Sequence, residues 1–209
     1  MTSPSRADIA RDIVARDAFF APVVARAGLP PARRGAPVAE RFPALVRSIT
    51  FQLLATSAAN TIHARVADLC GGDVTPASVM TTGVDALRGA GLNATKAGAM
   101  YDLAQRVADG DIRLDQHGRL SNEDITKELT VVRGVGPWTV QMYLMHTMGR
   151  RDVWPVGDYG VRNGWSLLHG LPGIISERDL RVAGDDLVGV RSDVAWYCWQ
   201  AVHFHRLDN

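Results

Sequence analysis

Trp138, Asp158 and the turn Gly134-Val135-Gly136-Pro137 are the residues of this chain whose types and spacing could do chemistry. Both glycines of the turn can take positive φ, and Pro137 suits the first position of a new helix because its missing N–H would have no helical partner there. The amides of the turn and of the following helix then point outward with the positive end of a helix dipole behind them. That arrangement holds a phosphate without reading sequence, and Arg133, Gly134, Val135, Gly136 and Thr139 are its expected members. An ordinary αα-corner with a Gly-rich turn accounts for the same pattern. Downstream, Trp154-Pro155 enforces extended backbone, and Asp158 opens an apolar-periodic run through Val161, Trp165 and Leu168 that stops at Gly170. An Asp so placed is commonly only an N-cap. The dipole also favours its carboxylate, so it can face a developing cation while remaining anionic.

The elements that must position these residues read as helices almost throughout. Ser121-Asn122-Glu123-Asp124 has the Ser-x-x-acid form of a helix start, and Ile125, Leu129 and Val132 follow at helical spacing. This predicts a helix over 121–133 and, after the turn, a second over 137–148. Ala7 to Ala27 carries Ile9, Ile13, Val14, Phe19, Phe20, Val23 and Val24 on a helical period until Gly28-Leu29-Pro30-Pro31 breaks it. An Arg- and Pro-rich loop is expected over 28–41, then helices over 42–70 with a break, 76–89, 94–109, 158–169, 176–188 and 192–206. The sequence holds no convincing alternating strand run, tandem repeat or low-complexity tract.

A hairpin followed by a Pro-containing loop and an Asp resembles the helix-hairpin-helix (HhH-GPD) DNA glycosylase superfamily, and within it the bacterial 3-methyladenine DNA glycosylase II branch. The likeness extends over roughly residues 10 to 205. Ile49 to Ala59 with Arg65 is similar to the family's helix carrying a Gln-Leu or Gln-Gln pair. Gly91-Leu92-Asn93-Ala94-Thr95-Lys96-Ala97 with Leu103 and Ala104 is similar to its Gly-Leu-Ser-x-x-Lys-Ala motif, and Arg191-Ser192 with Trp196, Tyr197 and Trp199 to its closing helix. The resemblance implies an all-α, two-lobed fold without the N-terminal β-domain of the bacterial relative, for which this chain looks too short. Residues 1–209 are expected to form a single glycosylase unit: 45–125 as one helical lobe, 1–44 plus 126–209 as the other, with the hairpin over 121–148.

The activity implied is monofunctional base excision repair: hydrolysis of the N-glycosidic bond of an alkylated base in duplex DNA. Expected lesions are 3-methyladenine, with 7-methylguanine or 1-methyladenine-type bases beside it. Asp158 carries over as the catalytic carboxylate, facing the charge that builds on the deoxyribose as the base leaves. Trp138 and Tyr159 carry over as faces against which a flipped, cationic base stacks. Leu53 matches the wedge that fills the space left by that base, with Gln52 beside it. Met142 stands where the family has a pocket Tyr, and Val190 where an aromatic precedes Arg-Ser, so the pocket is expected to be less aromatic. In relatives the hairpin's main-chain carbonyls hold a monovalent cation, here those of Thr130, Val132 and Val135. Strand-cleaving relatives use a Lys where this chain has Trp138; its only lysines, Lys96 and Lys127, read as solvent or phosphate contacts, so water is the expected nucleophile. The alternatives are a glycosylase for mispaired thymine, uracil or oxidised guanine, and a non-catalytic helix-hairpin-helix DNA-binding protein. The latter gives no reason for Asp158 and the aromatic set.

Composition narrows the class. With 209 residues and 46% apolar content, the chain can bury a core as one compact unit or two small lobes. A net charge of +1 excludes a strongly basic protein, so a nucleic-acid footprint must be local, with Arg133, Arg150, Arg151 and Arg162 around the motif. Two cysteines, Cys70 and Cys198, cannot make a four-cysteine iron-sulfur cluster. Cys198, His203 and His205 lack a fourth ligand for a metal, so no cofactor is required beyond the hairpin cation. Residues 1–20 hold no apolar run of signal-peptide length and nothing downstream could span a bilayer. The expectation is a cytoplasmic monomer with reduced thiols, on the nucleoid when bound to double-stranded DNA.

Overall fold

Side-chain caps set most helix starts in the computed structural model, which describes residues 4–209 and, of Thr56, the backbone alone. Ser5 accepts the Asp8 amide at the start of α1 (Arg6–Arg16), and Asp8 returns a bond to the Ser5 amide. The single run expected over 7–27 is broken where the Asp17 side chain takes the Phe19 amide and opens a 3-10 turn before α2 (Ala21–Ala27). Next, α3 (Val38–Phe51) starts ahead of the expected 42 and carries Pro43 inside it. The expected break in the following run falls at Gln52 to Ala55, ahead of α4 (Thr56–Leu69). Thr75 and Asn93 cap α5 (Pro76–Gly89) and α6 (Ala94–Asp109). The remaining helices are α7 (Asn122–Leu129), α8 (Pro137–Met142) running into a π-helical turn (Tyr143–Thr147), α9 (Tyr159–Leu168), α10 (Glu177–Ala183) and α11 (Arg191–Asp208). Every regular element among the described residues is helical. No helix among them is long and apolar enough to cross a membrane.

Two compact units make up the chain: Met1–Arg34 with Gly149–Asn209, and Gly35–Met148. In the first, α1, α2, α9, α10 and α11 bury Ile13, Phe20, Val161, Leu180 and Tyr197, each such side chain contributing about 1.5–3 kcal/mol. Trp165 of α9 stacks on His169 with ring centroids 4.2 Å apart, and His169 Nε2 meets Asp17 Oδ2 at 2.9 Å. Arg33, itself buried, donates to the Asp193 carboxylate at 2.6 Å and to the Ser192 carbonyl, tying the loop after α2 to α11. In the second unit α5 and α6 pack as a pair, and α3 packs against α8 and the π-turn, with Leu45, Ile49, Val140, Tyr143 and Leu144 of these elements buried. The guanidinium of Arg41 donates to the Leu114 and Asp115 carbonyls beneath α3.

The hairpin therefore groups with the central segment. The expected lobes, 45–125 against 1–44 plus 126–209, had placed it with the termini. Packing of α8 on α3 is what moves it, since α3 brings residues 35–44 into the central unit and the hairpin extends that unit to Met148.

Candidate active site and nucleic-acid interface

The functional side chains fall in both units. In the central unit, Ser121 caps α7 by accepting the Asp124 amide at 3.0 Å. The helix ends at Leu129, four residues short of the expected 133. The turn is pinned from inside by buried Val132 and Val135, and the Val135 amide donates to the Val132 carbonyl at 3.0 Å. Gly134 has φ 94°. A Cβ there would lie 3.2 Å from Thr95 Cγ2 and 3.3 Å from Ala99 Cβ, so the site demands glycine twice over. Gly136 does not share that conformation. It sits at φ −95° as the N-cap of α8, with Pro137 at the first helical position, so only one of the two glycines uses its freedom. The Arg133 amide donates to Asp102 Oδ2 at 3.4 Å.

Gln52 and Leu53 occupy the break after α3. Gln52 Nε2 donates to the Gly134 carbonyl at 3.1 Å and to Thr139 Oγ1 at 2.8 Å. Thr139 is buried and its hydroxyl accepts the Gln52 amide, so Gln52 braces the hairpin as well as standing beside Leu53. Leu53 has φ 53°, the sole non-glycine positive φ among the described residues, and is completely exposed at 103%. A branched side chain in that region costs about 1–3 kcal/mol and persists only where the surroundings fix it. Lys96 departs from its expected place at the surface. Its side chain is buried, donating from Nζ to the Thr50 carbonyl at 2.9 Å and the Gln52 carbonyl at 2.5 Å, and burial pulls its pKa below the usual lysine value. It faces neither solvent nor phosphate.

Trp138 and Met142 lie one turn apart on α8 and line a cavity of about 280 Å³ with Arg47, Phe51 and His146. The Arg47 guanidinium sits 4.1 Å over the Phe51 ring. A π-helical turn directly after α8 widens the backbone here, a distortion common at functional sites.

In the terminal unit the chain after Trp154-Pro155 turns back, and the Asp158 amide donates to the Pro155 carbonyl at 2.9 Å. Asp158 is the N-cap of α9, and one carboxylate oxygen, Oδ1, accepts the Val161 amide at 2.8 Å and the Trp199 indole N–H at 3.0 Å. Two donors thus fix the orientation of a half-buried carboxylate. Gly160 permits this approach: a Cβ would stand 2.8 Å from Trp199 Cδ1 and 3.1 Å from Asp158 Oδ1. Tyr159 opens α9 and is 63% exposed. Arg162 donates to the Ile175 carbonyl at 2.7 Å. Cys198 is fully buried, and burial, with the charges of Asp17 and Asp158 adding, pushes its thiol pKa well up. Among the described residues no group of His, Cys, Asp and Glu could hold a metal ion.

The sequence pattern of the HhH-GPD superfamily of base excision DNA repair proteins matches residues 46–188, which include the whole hairpin and Asp158. The chain belongs to this superfamily. It is 32% identical over 164 residues to DNA-3-methyladenine glycosylase 1 of Schizosaccharomyces pombe, covering 77% of this chain and 72% of that one. Its fold superposes on a 3-methyladenine DNA glycosylase of Schizosaccharomyces pombe in complex with abasic DNA, with a TM-score of 0.85 at 28% identity, over 92% and 95% of the two chains. A DNA-3-methyladenine glycosidase from Bacillus halodurans gives 0.79 at 27% identity, over 95% and 91%. The all-α HhH-GPD fold expected from the sequence is the one observed.

Four contributors escape the sequence reading. In sequence Trp199 reads only as part of the closing helix, and its bond to Asp158 spans 41 residues. Arg47 and Phe51 carry a local signal, a cation and an aromatic at i and i+4 on one helix face, yet nothing local says that this face lines a cavity with Trp138. The Lys96 position was noted, but burial is not written in a lysine.

Proposed function

We propose that this chain is a monofunctional DNA glycosylase that flips an alkylated base, 3-methyladenine first, out of duplex DNA and hydrolyses its N-glycosidic bond. The observation that carries this reading is the Asp158 carboxylate held on Oδ1 by the Val161 amide and the Trp199 indole. As the base departs, positive charge grows on the deoxyribose C1′ and ring oxygen, and a fixed anion stabilises it with no reorganisation at the moment of reaction. Asp158 also orients the attacking water. An alkylated purine that is already cationic leaves without a strong general acid, so the remaining task is recognition. Trp138 and Tyr159 offer aromatic faces for it, Met142 an apolar wall, and Leu53 replaces the extruded base in the stack.

Duplex binding is assigned to Arg133, to the main chain of Gly134, Val135 and Gly136, and to the dipole of the helical run that α8 opens. The main-chain carbonyls of Thr130, Val132 and Val135 are hard oxygen donors suited to a monovalent cation, with the Val132 carbonyl already accepting one amide. Such an ion would order the turn and takes no part in bond cleavage. The protein would act as a monomer, in the cytoplasm and on the nucleoid.

Arg47 favours a second reading of the substrate. A guanidinium among the cavity-lining side chains works against a cationic base and toward a neutral one, such as uracil, mispaired thymine or an oxidised purine. The experiment is release of bases from duplexes carrying methylated purines and, in parallel, each neutral lesion, resolved by chromatography. Release of 3-methyladenine ahead of the neutral bases supports the first reading; the reverse order supports the second; no release from any duplex removes the glycosylase assignment.

A further inference from the structure

The end of α3 poses a question that the hairpin and the carboxylate do not answer: what holds Leu53 in place before DNA arrives. Its side chain is completely exposed, so packing supplies nothing, yet its backbone sits in the left-handed region at φ 53°. The restraint must act on the main chain around it. On one side, the Gln52 side chain reaches the Gly134 carbonyl and Thr139 Oγ1. On the other, the Lys96 ammonium reaches the carbonyls of Thr50 and Gln52, where α3 runs out of amide partners and the negative end of its dipole lies. The root of Lys96 is anchored in turn, since its own amide donates to the N-cap Asn93 side chain at 2.9 Å. Burying an ammonium is costly unless it is bonded, and Lys96 is only 7% exposed with its two bonds directed at the residues flanking the strained position.

We propose that Lys96 is a positioning residue for the Leu53 wedge: by gripping the carbonyls of Thr50 and Gln52 it presents Leu53 in its left-handed, exposed conformation before DNA binding. This rests on Leu53 acting as the wedge. Preorganisation matters because a wedge that has to be ordered on arrival loses part of its binding energy to that ordering. A cation with several donors is needed because two carbonyls converge on one point.

A double-mutant cycle tests this, reading affinity for an abasic-site duplex against the same duplex undamaged, with a 2-aminopurine beside the lesion reporting unstacking. Lys96→Gln is expected to weaken abasic-duplex binding about tenfold, the scale of losing bonds to a charged donor. Binding of undamaged duplex should stay within about twofold, and the 2-aminopurine signal should fall. Combined with Leu53→Ala it should cost no more than Leu53→Ala alone, and Lys96→Arg should recover most of the loss. Full additivity, an equal loss on both duplexes, or parental behaviour of Lys96→Gln overturns the proposal. If Leu53→Ala binds both duplexes like the parent, the wedge reading itself falls, which is a different result from failure of Lys96 alone. Should Lys96→Gln not fold, the wild-type chain still decides, because with two lysines its side-chain ammonium nitrogen spectrum holds two signals. The Lys96 signal should shift on adding abasic duplex to wild type and stay still with Leu53→Ala; a shift indifferent to Leu53 overturns the assignment.

Discussion

A carboxylate at a helix N-cap ordinarily spends one oxygen on an amide, and Asp158 does so with Val161; the indole of Trp199 on the same oxygen is what goes beyond capping. Substitution separates charge from geometry here. Asp158→Asn keeps an oxygen that accepts both donors but carries no charge, so the fold should survive, as read by thermal melting. Base release in single-turnover assays should fall at least about 100-fold, the scale of removing one electrostatic stabiliser. Turnover near wild type would take Asp158 out of the active site. Trp199→Phe removes the indole donor and keeps an aromatic of similar shape; release should drop by about tenfold, with abasic-duplex binding unchanged. At this scale the sequence was legible where the signal is local: Asp158 after an enforced extended segment, and Trp138 beside the Gly-Pro turn. It was illegible where a partner comes from far along the chain, as Trp199 does, or where burial decides the role, as for Lys96.

The elements were largely readable because their starts are written in cap residues. Ser5, Thr75, Asn93, Ser121, Asp158 and Ser176 each accept the amide three residues on. Helix ends and breaks were less readable: α7 stops at Leu129 although Val132 continues its apolar period, because Val132 is buried from the turn itself. The lobe assignment failed for a similar reason, since packing of α8 on α3 is a long-range fact that no periodicity encodes. The two glycines of the turn should now respond differently. Gly134→Ala must hold φ 94° and push a methyl group toward Thr95 and Ala99, which should cost about 1–3 kcal/mol by thermal melting and weaken undamaged and damaged duplex alike. Gly136 has ordinary backbone and no protein atom within reach of an added Cβ, so Gly136→Ala should stay within about 0.5 kcal/mol of the parent by thermal melting. Equal damage from both would mean that the turn is not held by the Gly134 conformation.

Across the whole molecule the scarcity of lysine fixes the type of reaction. Cutting the strand after base loss requires an amine to attack C1′ and form a Schiff base, and this chain has two lysine amines. Burial lowers the pKa of Lys96, which taken alone would favour a nucleophilic amine. Its bonds to the Thr50 and Gln52 carbonyls argue the other way, because both hold the nitrogen inside the central unit. Lys127 is exposed on α7 with its ammonium 3.8 Å from the Asp124 carboxylate, a surface pair worth little. By the family resemblance, Trp138 stands at the hairpin position where strand-cleaving relatives carry the attacking Lys. Water should therefore take the anomeric carbon and leave an intact abasic strand. On a damaged duplex, denaturing electrophoresis without heat or base should show full-length strand, broken only after alkali, and borohydride should trap no protein–DNA adduct above background. An adduct formed at the rate of base release and abolished by Lys96→Gln or Lys127→Ala would replace water with an amine as the nucleophile and overturn the monofunctional assignment.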